Sequence, residues 1–146
     1  MPYLADSNVL IFSVQRKHPW HEEAVGALEF LLARDEPVCV FLQNIAEFWN
    51  VCTRPADRNG LGLSVDETER RLADLEPILT ILHDTPAVYT EWRRIVSQHA
   101  VKGVQVHDAR LAAAMKVHGI GHILTYNVGD FKRYSGITAV HPRDVG

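Results

Sequence analysis

Asp6 follows the apolar run Tyr3-Leu4-Ala5 directly and opens the tripeptide Asp6-Ser7-Asn8. Glu47 and Asp108 are read in the same way, as acids that follow strand-like runs and open helix-like ones. Asn127 or Asp130 supplies a fourth polar position after Ile123-Leu124-Thr125. In an open parallel sheet the strand carboxyl ends share one edge, and ligands bind along it. Acids scattered along the sequence would therefore meet in one cleft. Mg²⁺ and Mn²⁺ prefer oxygen ligands in octahedral geometry, and Mg²⁺ is usually held by one or two carboxylates together with water and substrate phosphate. The chemistry that such a cleft serves is phosphodiester cleavage. One or two ions, roughly 3.5–4 Å apart when paired, acidify a water and stabilise the attacking and leaving oxygens of an in-line displacement.

Each acid also has a purely structural use. Asp6 or Ser7 can cap a first helix, Glu47 can reach back toward Asn44 in a capping box, and Asp108 can cap the helix that begins at Ala109. Capping accepts any of Ser, Thr, Asn or Asp, so it does not call for a carboxylate at three successive strand ends. That recurrence favours a site.

The elements needed to position these residues alternate along the chain. From His21 the run HEEAVGALEFLLARD sets Ala24, Val25, Leu28, Leu31 and Leu32 at helical spacing, and Glu36-Pro37 stops it. Val38 to Leu42 is a continuous apolar run, as expected of a strand covered on both faces. Asn44 opens a helix reaching about Thr53, before Pro55. Asn59-Gly60-Leu61-Gly62 forms a loop, Ser64-x-x-Glu67 starts a helix that Pro77 ends, and Ile78 to Leu82 has the β-branched content of a strand. Thr85-Pro86 starts a helix carrying Val88, Trp92, Ile95 and Val96, and Ala109 to Val117 is an alanine-rich helix closed by Gly119. Ile123 to Thr125 and Ile137 to Val140 complete the strands. This order predicts an α/β fold with a mainly parallel central sheet flanked by helices on both faces.

The length of 146 residues and 47% hydrophobic content predict one domain, residues 1–146, with a substantial core. No internal repeat is present, and no apolar run reaches the roughly 18 residues of a membrane span. A soluble, cytoplasmic protein with no membrane association is expected. Cys39 and Cys52 lack Cys-x-x-Cys spacing and are read as buried thiols. The net charge of −3 does not advertise a nucleic-acid binder. A pocket of clustered acids accounts for that balance, while Arg16-Lys17, Arg70-Arg71, Arg93-Arg94 and Lys132-Arg133 are either a basic rim or solvated surface.

The eight histidines are read as surface residues, because no His-Glu-x-x-His occurs and Gly119 and Gly121 interrupt His118-x-x-x-His122. His107 is kept apart because it adjoins Asp108. Trp20, Trp49 and Trp92 are read as core or interface side chains rather than base-stacking platforms. A haloacid-dehalogenase-like phosphatase would need a second carboxylate at position 8, which is Asn8, and a dinucleotide-binding domain would need a glycine-rich turn where Asp6-Ser7-Asn8-Val9 stands.

Four motifs in order resemble those of PIN-domain ribonucleases of the VapC toxin type. They are Asp6-Ser7-Asn8, then Glu47-Phe48-Trp49 with Thr53-Arg54-Pro55, then Asp108-Ala109-Arg110-Leu111-Ala112-Ala113-Ala114, and finally Leu124-Thr125-Tyr126-Asn127-Val128-Gly129-Asp130-Phe131. Each is weak alone, and the four together cover essentially the whole chain.

The resemblance implies a Mg²⁺- or Mn²⁺-dependent endoribonuclease holding one or two ions, with Asp6, Glu47 and Asp108 as metal-site acids. Family members often carry an Asp soon after the Thr of the fourth motif; this chain has Asn127 there and its carboxylate at Asp130. Asp130 is taken as the acidic member, with Asn127 as the alternative, and Ser7 as the residue that positions a water or orients Asp6. Arg16, Lys17, Lys132 and Arg133 follow the first and fourth motifs closely and are assigned to RNA. The implied partners are RNA, a cognate antitoxin and a second copy of the chain. The alternatives are a PIN nuclease of RNA processing that has no antitoxin, and a non-catalytic module that binds Mg²⁺ or phosphate.

Overall fold

The structure, a computed structural model, describes residues 1–146. Five strands, β1 (Tyr3–Ala5), β2 (Val38–Phe41), β3 (Thr80–Leu82), β4 (His122–Leu124) and β5 (Thr138–Val140), form one parallel sheet in the order β3-β2-β1-β4-β5. Six helices surround it: α1 (Ser7–Ser13), α2 (His21–Ala33), α3 (Leu42–Thr53), α4 (Val65–Leu75), α5 (Pro86–Gln98) and α6 (Gln105–His118). The α/β architecture expected from the sequence is the one found.

The period of two along each strand divides the core. Leu4, Cys39, Phe41 and Ile123 point to the face covered by α5 and α6. Their neighbours Ala5, Val38, Val40 and Leu124 point to the opposite face, covered by α1 to α4. Cys39 and Cys52 are buried and unpaired. On α6, Ala109, Ala112 and Ala113 are fully buried, and such small side chains allow the helix axis to lie close to the sheet. Gly119, at φ +71°, closes the helix in the left-handed region that glycine adopts without penalty. No helix is long and apolar enough to cross a membrane.

Several boundaries shift from the sequence expectations. Leu42 is the first residue of α3 and is exposed; it is not the last residue of β2. The Asn44 Oδ1 accepts the Phe41 N–H at 2.9 Å, so Asn44 supports the start of α3 from inside its first turn, and Glu47 is not its capping partner. Helix α6 starts at Gln105, which puts Asp108 inside its first turn rather than at its cap. No strand precedes it: α6 follows α5 across a short turn. Glu47 likewise stands in the second turn of α3 rather than at a strand end. The Ser64–Glu67 capping box does form, with the Glu67 N–H donating to the Ser64 hydroxyl at 3.0 Å and Glu67 Oε1 accepting the Ser64 N–H at 3.2 Å.

The tryptophans also divide. The Trp92 Nε1–H donates to the Val106 carbonyl at 3.0 Å and ties α5 to the start of α6, as a structural residue should. Trp20 is 47% exposed. Of the histidines, His83 and His107 are exposed, and the others are half-buried rather than on the open surface.

Candidate active site

Strand β1 is the centre of the sheet, with β2 on one side and β4 on the other, so the chain reverses its direction of winding there. A parallel sheet opens a crevice at such a point. Asp6 is the first residue beyond β1, and Thr125 the first beyond β4. The two meet: the Thr125 hydroxyl donates to Asp6 Oδ2 at 2.8 Å, while Asp6 Oδ1 accepts the Ser7 N–H at 2.8 Å. Asp6 thus caps α1 and holds a fixed orientation toward β4 at the same time. The capping and site roles weighed from the sequence are compatible.

Asn8 completes this corner. Its Oδ1 accepts the Tyr126 N–H at 3.3 Å and its Nδ2 reaches the Thr125 hydroxyl at 3.4 Å. Thr125 is fully buried and also accepts the Asn127 N–H at 3.0 Å. Neither Thr125 nor Asn8 was singled out as a site residue from the sequence. The available signal was a polar β-branched residue ending an apolar strand inside the fourth motif.

Glu47 and Asp108 arrive from the helices. The Gln43 Nε2–H donates to the His107 carbonyl at 2.9 Å, which joins the first turn of α3 to the first turn of α6. One turn beyond Gln43, Glu47 faces inward, and its Oε1 is buried with no hydrogen-bond partner. Asp130 lies on the 3₁₀ turn Val128–Phe131 and is exposed. It shares a cavity of about 220 Å³ with Gln105, Asp108, Gly129, Lys132 and Arg133, and no hydrophobic residue lines it. Asn127 is outside that lining.

Burial and the neighbouring charges raise the carboxyls of Asp6, Glu47 and Asp108. Burial, then the charges of Asp6, Asp130 and Glu47, push the Asp108 carboxyl up to about 6, opposed by His107. Glu47 is raised by burial and by Asp6, with Gln43 pulling the other way. Asp6 is raised by burial, opposed by its bonds to Thr125 and Ser7, and raised further by Asp130. The charges of Asp6, Asp130 and Glu47 thus bear on Asp108, and of these Asp130 lines the same cavity. No three His, Cys, Asp or Glu side chains already converge in ligating geometry. The donor set nevertheless fits a hard divalent cation: all its atoms are oxygens, it carries mutual repulsion that a cation relieves, and the buried Glu47 Oε1 lacks a donor.

The assigned basic residues fall into two groups. Lys132 and Arg133 rim the Asp108–Asp130 cavity, where Arg133 is tied to the Gln105 side chain and, at 3.5 Å, to the His99 carbonyl. Arg16 and Lys17 line a different cavity, with His18 and Arg71.

The class these features define is an α/β protein with a parallel sheet and acidic side chains near its switch point. Residues 3–137 match the PIN domain model, and the chain belongs to the PIN-domain family. It is 25% identical over 139 residues to Ribonuclease VapC48 of Mycobacterium tuberculosis, covering 94% of each protein. Among solved structures, the fold is similar to VapBC2 from Rickettsia felis bound to a DNA fragment from its promoter, with TM-score 0.70, 14% identity and coverage of 97% and 98%. It is also similar to VapC20 of Mycobacterium tuberculosis, a sarcin-ricin loop cleaving toxin, with TM-score 0.65, 17% identity and coverage of 91% and 95%.

Proposed function

We propose that this protein is a Mg²⁺- or Mn²⁺-dependent endoribonuclease and the toxin of a toxin–antitoxin pair. The observation that supports the nuclease reading is Asp6 held at the switch point by Thr125, with Asp108 and Asp130 lining one cavity and a buried Glu47 oxygen left unpaired. The toxin assignment is supported by the VapC48 relative and by neighbours such as the VapBC2 complex. A cognate antitoxin and a second copy of the chain are the expected partners.

Asp6, Glu47 and Asp108 would hold the metal, and Asp130, which lines the same cavity as Asp108, would be the fourth acid in preference to Asn127. Mg²⁺ or Mn²⁺, when bound, supplies positive charge for the phosphoryl oxygens and makes a water more acidic. Thr125 and the Ser7 N–H fix both Asp6 oxygens, so Asp6 does not have to reorganise as substrate arrives. Ser7 orients Asp6. Asp108, raised to about 6, is mostly ionised at neutral pH and becomes fully so beside a cation. Lys132 and Arg133 counter the repulsion between the acids and an incoming phosphate, while Arg16 and Lys17 contact RNA farther along.

The test is cleavage of RNA by the purified chain with Mg²⁺, with Mn²⁺, and with chelator. Cleavage is expected only with metal, and Asp6→Asn should lower it at least about a hundredfold while circular dichroism stays unchanged. Equal cleavage in chelator, or by Asp6→Asn, overturns the assignment.

A further inference from the structure

Trp20 stands just before α2 with 47% of its surface in solvent, yet it is firmly held. Its ring stacks on Tyr126 with 5.0 Å between centroids and 9° between planes. Phe12 meets both rings nearly at right angles, 5.1 Å from Trp20 and 5.0 Å from Tyr126. A ring equally distant from two stacked rings lies beside them, so Phe12 packs along the edge of the stack, and His18 meets the indole at 65° with 5.4 Å between centroids. The His18 Nδ1 accepts the Trp20 N–H at 3.0 Å, and the Tyr126 phenol donates to the Trp20 carbonyl at 3.4 Å. A half-exposed aromatic ring that is already immobilised loses little entropy when a flat ligand settles on it.

Its position joins two features that are otherwise separate. Tyr126 follows Thr125, the residue bonded to Asp6, and its own N–H is held by Asn8. The stack is therefore built onto the corner that carries the first acid. On the other side, His18 packs 5.4 Å from Trp20 and also lines a cavity of about 410 Å³ with Arg16, Lys17 and Arg71. The two salt bridges of the molecule, Arg94–Glu91 and Arg110–Asp84, involve none of these cations. An aromatic face next to unpaired cations is the pattern that binds single-stranded nucleic acid, with bases on the ring and phosphates on the charges.

We propose that Trp20, backed by Tyr126, is the stacking platform for an unpaired RNA base near the cleaved linkage, with adjoining phosphates on Arg16, Lys17 and Arg71. This rests on the nuclease assignment, which supplies the RNA, and it makes Trp20 a determinant of which single-stranded segments are engaged.

The test measures binding of a labelled single-stranded RNA, and of an abasic strand of equal length, to Asp6→Asn protein so that no cleavage intervenes. Adding Trp20→Leu should weaken RNA binding about ten- to a hundredfold and leave the abasic strand unaffected, while Trp20→Phe should retain most of the affinity. Arg71→Gln should lower the slope of log affinity against log salt by about 0.7. RNA binding unchanged in Trp20→Leu, or equal losses for RNA and the abasic strand, overturns the platform; so does failure of Trp20→Phe to rescue. Failure of the nuclease assignment shows separately, as absence of cleavage by the unsubstituted chain, and base-dependent binding decides the platform in either case.

Discussion

Asp108→Asn should make the metal-free protein more stable while it abolishes cleavage. Asp108 rises from an ordinary 3.8 to about 6 because the carboxylate is half-buried and faces Asp6, Asp130 and Glu47. Two pKa units correspond to about 3 kcal/mol, and discounting for partial solvent screening leaves about 1–2 kcal/mol. The sign follows from proton linkage. An acid raised in the folded state stabilises it at low pH, and that contribution is lost as pH rises from the unfolded value of 3.8 through the folded value of about 6. The neutral amide avoids the loss. At pH 8 without metal, Asp108→Asn should melt about 2–8 °C above the parent, using roughly 2–4 °C per kcal/mol for a chain of this size. At pH 5 the gain should fall to about half. Saturating Mg²⁺ should stabilise the parent more than the variant, because a ligand that binds only the folded state shifts the equilibrium toward it. Thermal melts at both pH values, with and without Mg²⁺, test this. A variant no more stable than the parent at pH 8, or a gain independent of pH, would refute the picture of mutually repelling acids.

Asp130→Ala should reduce cleavage more than Asn127→Ala across a metal titration, since Asp130 shares the cavity of Asp108; comparable rates for Asp130→Ala and the parent would return the role to Asn127. Thr125→Val removes the hydroxyl that donates to Asp6 and accepts from Asn127, so it should cost about 1–3 kcal/mol in urea unfolding and slow cleavage as well. A Thr125→Val protein with normal kcat would show that Asp6 needs no such support. Gly60→Ala should destabilise by about 1–3 kcal/mol without affecting the acids, because a Cβ there would lie 1.9 Å from the Arg54 carbonyl oxygen; an unchanged denaturation midpoint would count against that contact.

Much of this protein is written locally. The alternation of apolar runs and helical periodicities predicts the parallel α/β sheet, because each element must bury one face whatever its neighbours do. Asp6-Ser7-Asn8 at the end of β1, the Ser64–Glu67 cap, Pro86 at the start of α5 and Gly119 at the end of α6 are all legible, since their geometry depends on residues within one turn. The boundary at Leu42 is not. An apolar run reads the same whether it ends a strand or starts a helix, and periodicity needs more residues to separate them.

Tertiary structure decided which elements carry the acids toward one another. Glu47 and Asp108 come from helix turns rather than strand ends, and their helices are tied by the bond between Gln43 and His107, residues 64 apart in sequence, with an alanine face that lets α6 lie close to the sheet. The pairing of Thr125 with Asp6 spans 119 residues, and the Trp20–Tyr126 stack spans 106 residues, the same separation as the Tyr126–Trp20 backbone contact. The sequence determined which chemical groups this protein has and which local elements carry them. Their proton affinities, pairings and exposed faces arise only when the strands lie side by side, because burial and Coulomb interaction depend on distances in space that the order of residues does not contain.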